Sequence, residues 1–197
     1  MSSYEFDQSE AIEGAGGYLT KAGTFHLILS TVDPEPTTKD GKPIDGLRVS
    51  GEVLDGTETS EVGKEFEFIL WPPKPTDKNG GEMAKRKLTR FSYATGFIAS
   101  HAPGQKVVID CEACEGRQII AKFSETTKED GKKRLELNYS DIYHVDDPAV
   151  AEVPKSADAI AAIPKALRKA VQPVAAKPAA KTNKALATAG APSLDDL

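Results

Sequence analysis

Aromatic side chains are scarce in this chain, and its last quarter has none. Phe, Tyr and Trp make up 7% of the 197 residues, and all of them precede residue 148. A segment without large apolar side chains does not bury enough surface to form a packed core. The sequence therefore predicts a flexible lead-in at 1–16, one domain at 17–147, a disordered Ala/Pro/Lys-rich linker at 148–192 and a terminal motif at 193–197.

Long apolar runs are also missing. The longest, around Phe68–Trp71, is far too short to cross a bilayer. The first residues carry acids where a secretory signal has basic and then apolar residues. We expect a cytoplasmic protein with no membrane partner.

Cysteine is limited to Cys111 and Cys114, so the chain lacks the second ligand pair of a structural zinc site. His101 and His144 are the side chains that could complete such a set. The pair lies in the apolar run "KVVIDCEACEGRQIIAKF", with no helix pattern after it, which favours buried side chains in a strand over a metal or redox site. We expect no metal and no cofactor.

Catalytic motifs are absent as well. The sequence has no Gly-rich phosphate loop, no G-x-S-x-G and no H-E-x-x-H, and its three histidines are scattered. The prediction is a protein that is not an enzyme.

Basic side chains are fewer than acidic ones, and they are unevenly distributed along the chain. Residues 1–147 have 18 basic and 26 acidic side chains, whereas 148–197 have 7 and 4. Any nucleic-acid site in the acidic part therefore needs a local cluster of cations.

Alternation of apolar and polar residues dominates the predicted domain. "TFHLILSTV", "GLRVSGEVL" and "KEFEFIL" each place their apolar side chains on one face, which predicts three strands. Gly51 is a predicted bend in the second strand, and Pro72 and Pro73 stop the third.

A helical period follows in "GEMAKRKLTRFSYATGFIAS". Its predicted buried stripe consists of Met83, Leu88, Phe91, Thr95 and Ile98. Strands are then predicted at "KVVIDCEA", "RQIIAKFSE", "RLELNYS" and "DIYHV", with Asp130 and Gly131 as a hairpin turn. This order is typical of a mainly β, five-stranded, OB-fold-like Greek-key barrel with one helix between strands 3 and 4, and a half-open sheet with one covering helix is the alternative.

Several segments carry a family resemblance. "AGTFHLIL", "KDGKPIDGLRVSGEVLDG", "GKEFEFIL", "KLTRFSYATGF" and "GQKVVIDC", spread over about residues 20–111, resemble a family of small phage proteins regarded as single-stranded DNA-binding proteins. The resemblance implies sequence-independent binding of single-stranded DNA in phage replication or recombination.

The last residues resemble a different group. Bacterial single-stranded DNA-binding proteins join an OB-fold to a flexible linker that ends in an acidic tip with a terminal hydrophobic residue, and Leu194, Asp195, Asp196 and Leu197 take those places here. The resemblance implies a tip that recruits replication or recombination proteins. Within the linker, Ile160, Ile163, Leu167 and Val171 have helical spacing and could form a short helix on a partner.

Single-strand binding needs cations along the backbone and exposed rings on which bases stack. Trp71 is the first choice for stacking because it is out of phase with the buried residues of its strand, and Tyr93 and Tyr143 are further aromatic candidates. The predicted nucleic-acid site consists of Arg48, Trp71, Lys74, Lys85, Arg86, Arg90, Lys122, Lys132, Lys133, Arg134 and Tyr139. The outward face also carries Glu52, Glu65 and Glu67, which predicts modest, salt-sensitive affinity.

Two other functions fit the sequence. The chain could be an acidic β-barrel that binds only proteins and uses its tail as a tether, or a metal-dependent enzyme built on Cys111 and Cys114. The sequence leaves open the oligomeric state, including a homo-oligomer, and the choice between DNA and RNA.

Overall fold

The computed structural model describes residues 17–74, 80–98, 107–128, 131, 133–165 and 167–168. They form five strands, β1 (Gly23–Asp33), β2 (Leu47–Gly56), β3 (Glu65–Leu70), β4 (Gln118–Thr127) and β5 (Lys133–His144). Helix α1 (Gly80–Ala94) lies between β3 and β4, and the short α2 (Ala157–Ala162) follows β5. The prediction of a mainly β domain is confirmed, as is the helix between the third and fourth strands.

The five strands form one open antiparallel sheet in the order β3-β2-β1-β4-β5. β1 is the central strand and pairs with both β2 and β4. Its side chains Phe25, Leu27 and Leu29 are buried on one face, as the alternation predicts. β3 and β5 are the two ends of the hydrogen-bonded order.

The sheet is curled around an aromatic core. The ring centroid of Phe123 on β4 lies 6.5 Å from that of Phe66 and 6.4 Å from that of Phe68, both on β3. Phe91 of α1 closes the cluster at 6.4 Å from Phe68. Because two strands separate β3 from β4 in the sheet, these contacts require the sheet to bend until its ends approach each other.

Gly51 allows part of this bend. A Cβ atom on Gly51 would lie 1.9 Å from the carbonyl oxygen of Ile28, so no other residue fits there. The β1–β2 register shifts next to this pair, between Leu29 and Thr31. The predicted bend at Gly51 is therefore confirmed, as a close backbone approach opposite a β-bulge whose extra residue is Ser30 on β1.

Helix α1 packs chiefly against β5 and buries Phe91, with Thr95 and Ile98 buried just beyond its end. The prediction of Met83 in the buried stripe is wrong, since its side chain is 50% exposed. Tyr93 is buried, since residues 91–95 at the end of the helix are all buried and not only those on one stripe. Gly96, with φ 79°, ends the helix. Among the described residues, no helix is both long and apolar enough to cross a bilayer.

The region after α1 differs from the prediction in two ways. The strand predicted at 106–113 is wrong: 107–110 has no regular structure, and Glu112–Cys114 is a 3-10 turn, helped by the Asp110 carboxylate, which accepts from the Ala113 N–H. The last two predicted strands form the single strand β5. Its pairing with β4 is interrupted between Leu137 and Ile142, which explains why the sequence pattern breaks there.

The chain stays packed beyond residue 147. We call residues 148–168 the C-terminal strap. Val150, Val153 and Ile163 of the strap pack with Ile120 on the outer face of the sheet. The prediction that a flexible linker begins at 148 is therefore wrong for the first part of this segment, because small apolar side chains suffice to cover one face of an existing sheet.

His26 and Gln118 connect this strap to the sheet. The Ser156 N–H donates to His26 Nδ1 at 3.2 Å, and the His26 Nε2–H donates to Gln118 Oε1 at 2.9 Å. Gln118 Nε2 in turn donates to the Ala159 carbonyl oxygen at 2.8 Å. The strap thus explains why His26, on the outward face of a central strand, is fully buried.

Because of this network, we expect the stability of the folded protein to depend on pH. Burial lowers the pKa of His26, and nearby Lys155 acts in the same direction, against the hydrogen bond to Gln118 and the charge of Asp55. The unfolded chain therefore binds the proton first, and the free energy of unfolding falls as the pH drops below about 6.5, with a slope of at most about 1.4 kcal/mol per pH unit. Urea unfolding of the wild type and of His26→Gln between about pH 7 and 5.5 measures this slope. An equal slope in both proteins would contradict the assignment.

Candidate nucleic-acid interface

A groove of about 910 Å³ lies where the two ends of the curled sheet approach each other. The sheet ends contribute Phe66 and Glu67 from β3 and residues 133–135 from β5. The N-terminal segment, the β1–β2 loop and β2 complete its walls with Tyr18–Thr20, Thr37–Lys39 and Arg48. Its lining is therefore assembled from parts of the chain that are distant in sequence.

The charge of the groove is opposite to that of the whole chain. Its basic lining residues are Lys39, Arg48, Lys133 and Arg134, and Glu67 is its acidic one, while the chain has a net charge of −5. The structure thus brings together three of the predicted cations, Arg48, Lys133 and Arg134. A cationic groove of this kind is suited to a phosphate backbone.

Arg48 is only partly satisfied by protein partners. Its Nη2 donates to the Thr37 carbonyl oxygen. Its Nε is buried and has no hydrogen-bond partner in the described part of the chain, because the Glu67 carboxylate is 3.7 Å away. An unpaired buried donor is uncommon in native structures, so Arg48 has a donor left for a further hydrogen bond.

Lys133 forms an ion pair with Glu125 at 2.8 Å, and the hydrogen bond to that carboxylate raises the pKa of Lys133, which therefore remains charged. Both side chains are largely exposed. Exposed pairs contribute little to stability, so exchanging Glu125 for a phosphate costs little.

A second, smaller depression borders the groove and is acidic. It has a volume of about 240 Å³ and is lined by Glu52, Glu65 and Glu67. The alternation of the sequence predicts these three carboxylates on the outward face, and the structure brings them together in one depression. An anionic ligand is repelled from this depression and directed into the groove.

Tyr18 lies at the boundary between the two depressions and is 63% exposed. Sequence reasoning missed it, along with Lys39, because Tyr18 precedes the first alternating segment and carries no pattern of its own. The flanking backbone is held on β3: the Glu65 N–H donates to the Gly17 carbonyl oxygen at 2.8 Å, and the Leu19 N–H donates to the Glu65 carbonyl oxygen at 2.7 Å.

Glu61 fixes the residues that follow Tyr18. Its side chain is fully buried, and its carboxylate accepts from the Thr20 N–H at 2.7 Å and from Lys64 Nζ at 2.9 Å. Burial alone would raise the pKa of Glu61, but the hydrogen bonds from Thr20, Lys64 and Lys21 outweigh it and hold the pKa below its usual value. This carboxylate therefore maintains the N-terminal wall of the groove.

The other predicted cations lie elsewhere. Lys122 alternates with Ala121 and Phe123, which are buried toward the core, so it points to the opposite face of the sheet. Lys74 follows β3 without lining the groove, and α1 carries Lys85, Arg86 and Arg90 outside it. Lys132 and the side chain of Tyr139 lie outside the described residues, as do Leu194, Asp195, Asp196 and Leu197.

The predicted aromatic candidates differ in accessibility. Trp71 is 48% exposed just after β3 but is not part of the groove lining, and its ring lies close to Gly46. Tyr93 is buried, so the prediction that it stacks on bases is wrong. Tyr143 is half-buried, and its hydroxyl donates to Asp141 at 3.1 Å.

The two cysteines lie at the 3-10 turn between α1 and β4. Cys114 is fully buried, and its pKa is raised to about 11 by burial and by the nearby Cys111 and Asp110. A thiol with a raised pKa is a poor nucleophile at neutral pH. Within the described ranges, no three His, Cys, Asp or Glu side chains are grouped closely enough to hold a metal ion.

Comparison with known proteins gives no further assignment: no protein-family model matches this chain, and a search of curated proteins finds no match.

Substituting Glu61 tests the role of its buried carboxylate. Glu61→Gln replaces a charged acceptor by an amide that cannot accept from all of its donors, and we expect a loss of about 3 kcal/mol in the free energy of unfolding at neutral pH. Because the folded-state pKa is lowered, the difference from the wild type is full above about pH 4.5 and shrinks as the pH falls through the folded-state value. Urea unfolding of the wild type and of Glu61→Gln, at neutral pH and well below about pH 4.5, measures this difference.

Glu52→Gln is the matched control, since it removes the same charge from an exposed side chain. We expect it to change the free energy of unfolding by less than about 0.5 kcal/mol. Equal effects of the two substitutions would show that Glu61 has no special structural role.

Proposed function

We propose that this protein binds single-stranded DNA without sequence preference, as a non-enzymatic, phage-encoded protein of replication or recombination. The observation that carries the proposal is the cationic groove, in which Lys39, Arg48, Lys133 and Arg134 gather at one place on an otherwise acidic chain. A narrow track of cations with an exposed ring beside it is the arrangement that unpaired nucleic acid requires.

The proposed fold is an OB-type barrel that is open between β3 and β5. The central position of β1, the strand order β3-β2-β1-β4-β5 and the packing of Phe66 on Phe123 support it. In this arrangement the groove occupies the gap between the sheet ends, where a strand of nucleic acid has access from solvent without displacing any strand pairing.

The proposal extends to the C-terminal tip. The side chains of Asp195 and Asp196 provide two negative charges, and Leu194 and Leu197 provide apolar contacts for a pocket on a partner. A tip that binds a partner in this way raises the local concentration of that partner around bound DNA. We propose replication or recombination proteins as these partners, in the cytoplasm of the host cell.

Anisotropy of a labelled deoxythymidine oligonucleotide of about 15 nucleotides tests the binding directly. We expect binding at low salt. The logarithm of the affinity should fall linearly with the logarithm of the salt concentration, with a slope of about −0.7 for each phosphate neutralised. Duplex DNA of the same length should compete weakly, and an RNA oligonucleotide compares the two sugars. No binding even at low salt would refute the function and favour the protein-interaction module.

Substitutions that each remove one charge then locate the DNA-binding site. Lys39→Ala and Arg48→Ala each remove one cation from the groove, and because an exposed ion pair is worth up to about 1 kcal/mol, we expect about 5-fold weaker binding for each. The salt dependence should fall by about 0.7. Lys122→Ala removes the same charge from the opposite face and should leave both quantities unchanged. An equal loss in Lys122→Ala would place the site outside the groove.

A further inference from the structure

In the part of the chain that the structure describes, two large aromatic side chains near β3 are well exposed, and one of them belongs to the groove. Tyr18 is 63% exposed and lines it, whereas Trp71 is 48% exposed and lies beyond the end of β3. Alternation along a strand identifies Trp71 as outward-facing, but it gives no information about which ring stands beside the cations. The structure makes that distinction.

Tyr18 combines exposure with a fixed backbone. Hydrogen bonds from Glu65 to Gly17 and from Leu19 to Glu65 hold the residues on either side of it, and the Thr20 N–H is bound by the buried carboxylate of Glu61. Leu19 also packs against the core. Because this backbone is already held, covering the ring with a ligand costs little backbone conformational entropy.

The surroundings of Tyr18 determine what such a ring can bind. On one side lies the cationic groove with Arg48 and Lys39, and on the other lie the carboxylates of Glu52 and Glu65. A ligand that contacts the ring while avoiding the carboxylates has an anionic part in the groove and a flat, uncharged part over the ring. An unpaired nucleotide has both parts.

We propose that Tyr18 is the residue on which an unpaired base stacks when its phosphates occupy the groove. This inference rests on the proposed function and assigns the ring contact to Tyr18 instead of Trp71. The phosphates contact the cations of the groove, the base covers the exposed face of the ring, and the Glu61 carboxylate holds the backbone that follows Tyr18.

The test separates stacking from charge. Affinities are measured for a deoxythymidine oligonucleotide and for an abasic oligonucleotide of the same length, which carries the same phosphates without bases. We expect the wild type to prefer the base-bearing strand, and Tyr18→Ala to weaken binding of that strand by about 5- to 150-fold with little change for the abasic one. Tyr18→Phe keeps the ring and should remain within about 2-fold of the wild type.

Trp71→Ala is the matched control, since it removes another exposed aromatic ring that lies outside the groove. We expect it to retain the preference for bases. The inference is overturned if Tyr18→Ala keeps that preference, or if Trp71→Ala loses it, and in both cases DNA binding itself stands. A wild-type protein that binds neither oligonucleotide overturns the proposed function together with the inference.

Folding of the variants is checked by thermal unfolding. Because Tyr18 is exposed, we expect Tyr18→Ala to keep the midpoint of the wild type within a few degrees. Tyr18→Leu provides a second variant with a large apolar side chain but no ring, and it should show the same base-dependent loss. Full affinity of Tyr18→Leu for the base-bearing strand would show that the contact is not stacking.

Discussion

The ring of Phe123 on β4 packs against Phe66 and Phe68 on β3, although β2 and β1 lie between these strands in the sheet. This contact defines the curvature of the sheet, because a flat sheet would hold the same rings about three strand spacings apart, or roughly 14 Å. Gly51 and the bulge opposite it in β1 let the backbone follow that curvature. Once the sheet is curled, its two ends face each other and the groove exists.

The polar parts of the molecule depend on this frame. Glu61 is buried on the turn between β2 and β3, where its carboxylate binds Thr20 and brings the N-terminal segment alongside β3. On the outer face, His26 and Gln118 bind the backbone of the C-terminal strap. In both places a buried polar side chain joins a segment with little regular structure to the sheet. Such groups are stable only when their hydrogen bonds are complete, so each one fixes a single arrangement of its segment.

The electrostatic arrangement separates an attractive surface from a repulsive one over a short distance. Cations from β2, β5 and the β1–β2 loop line the groove, while the carboxylates of β2 and β3 line the neighbouring depression. An overall negative charge is compatible with binding an anion when the potential is organised locally in this way. It also opposes diffuse association of nucleic acid with the remaining surface.

The sequence by itself determined the strands β1, β2 and β3, the buried faces of Phe25, Leu27 and Leu29, and the position of α1, because period-two and helical patterns record which side chains are buried. It indicated Arg48, Lys133 and Arg134 only as members of a longer set of cations, since periodicity gives the face of each residue within its own element and no distance between elements. Tertiary structure decided which of these cations share a groove, that Tyr18 stands beside them while Trp71 does not, and that His26 is covered by the strap. These features arise from contacts between residues far apart in the chain. The curvature of the sheet sets them, and a local signal such as Gly51 marks where a strand can bend without giving the distance between two elements.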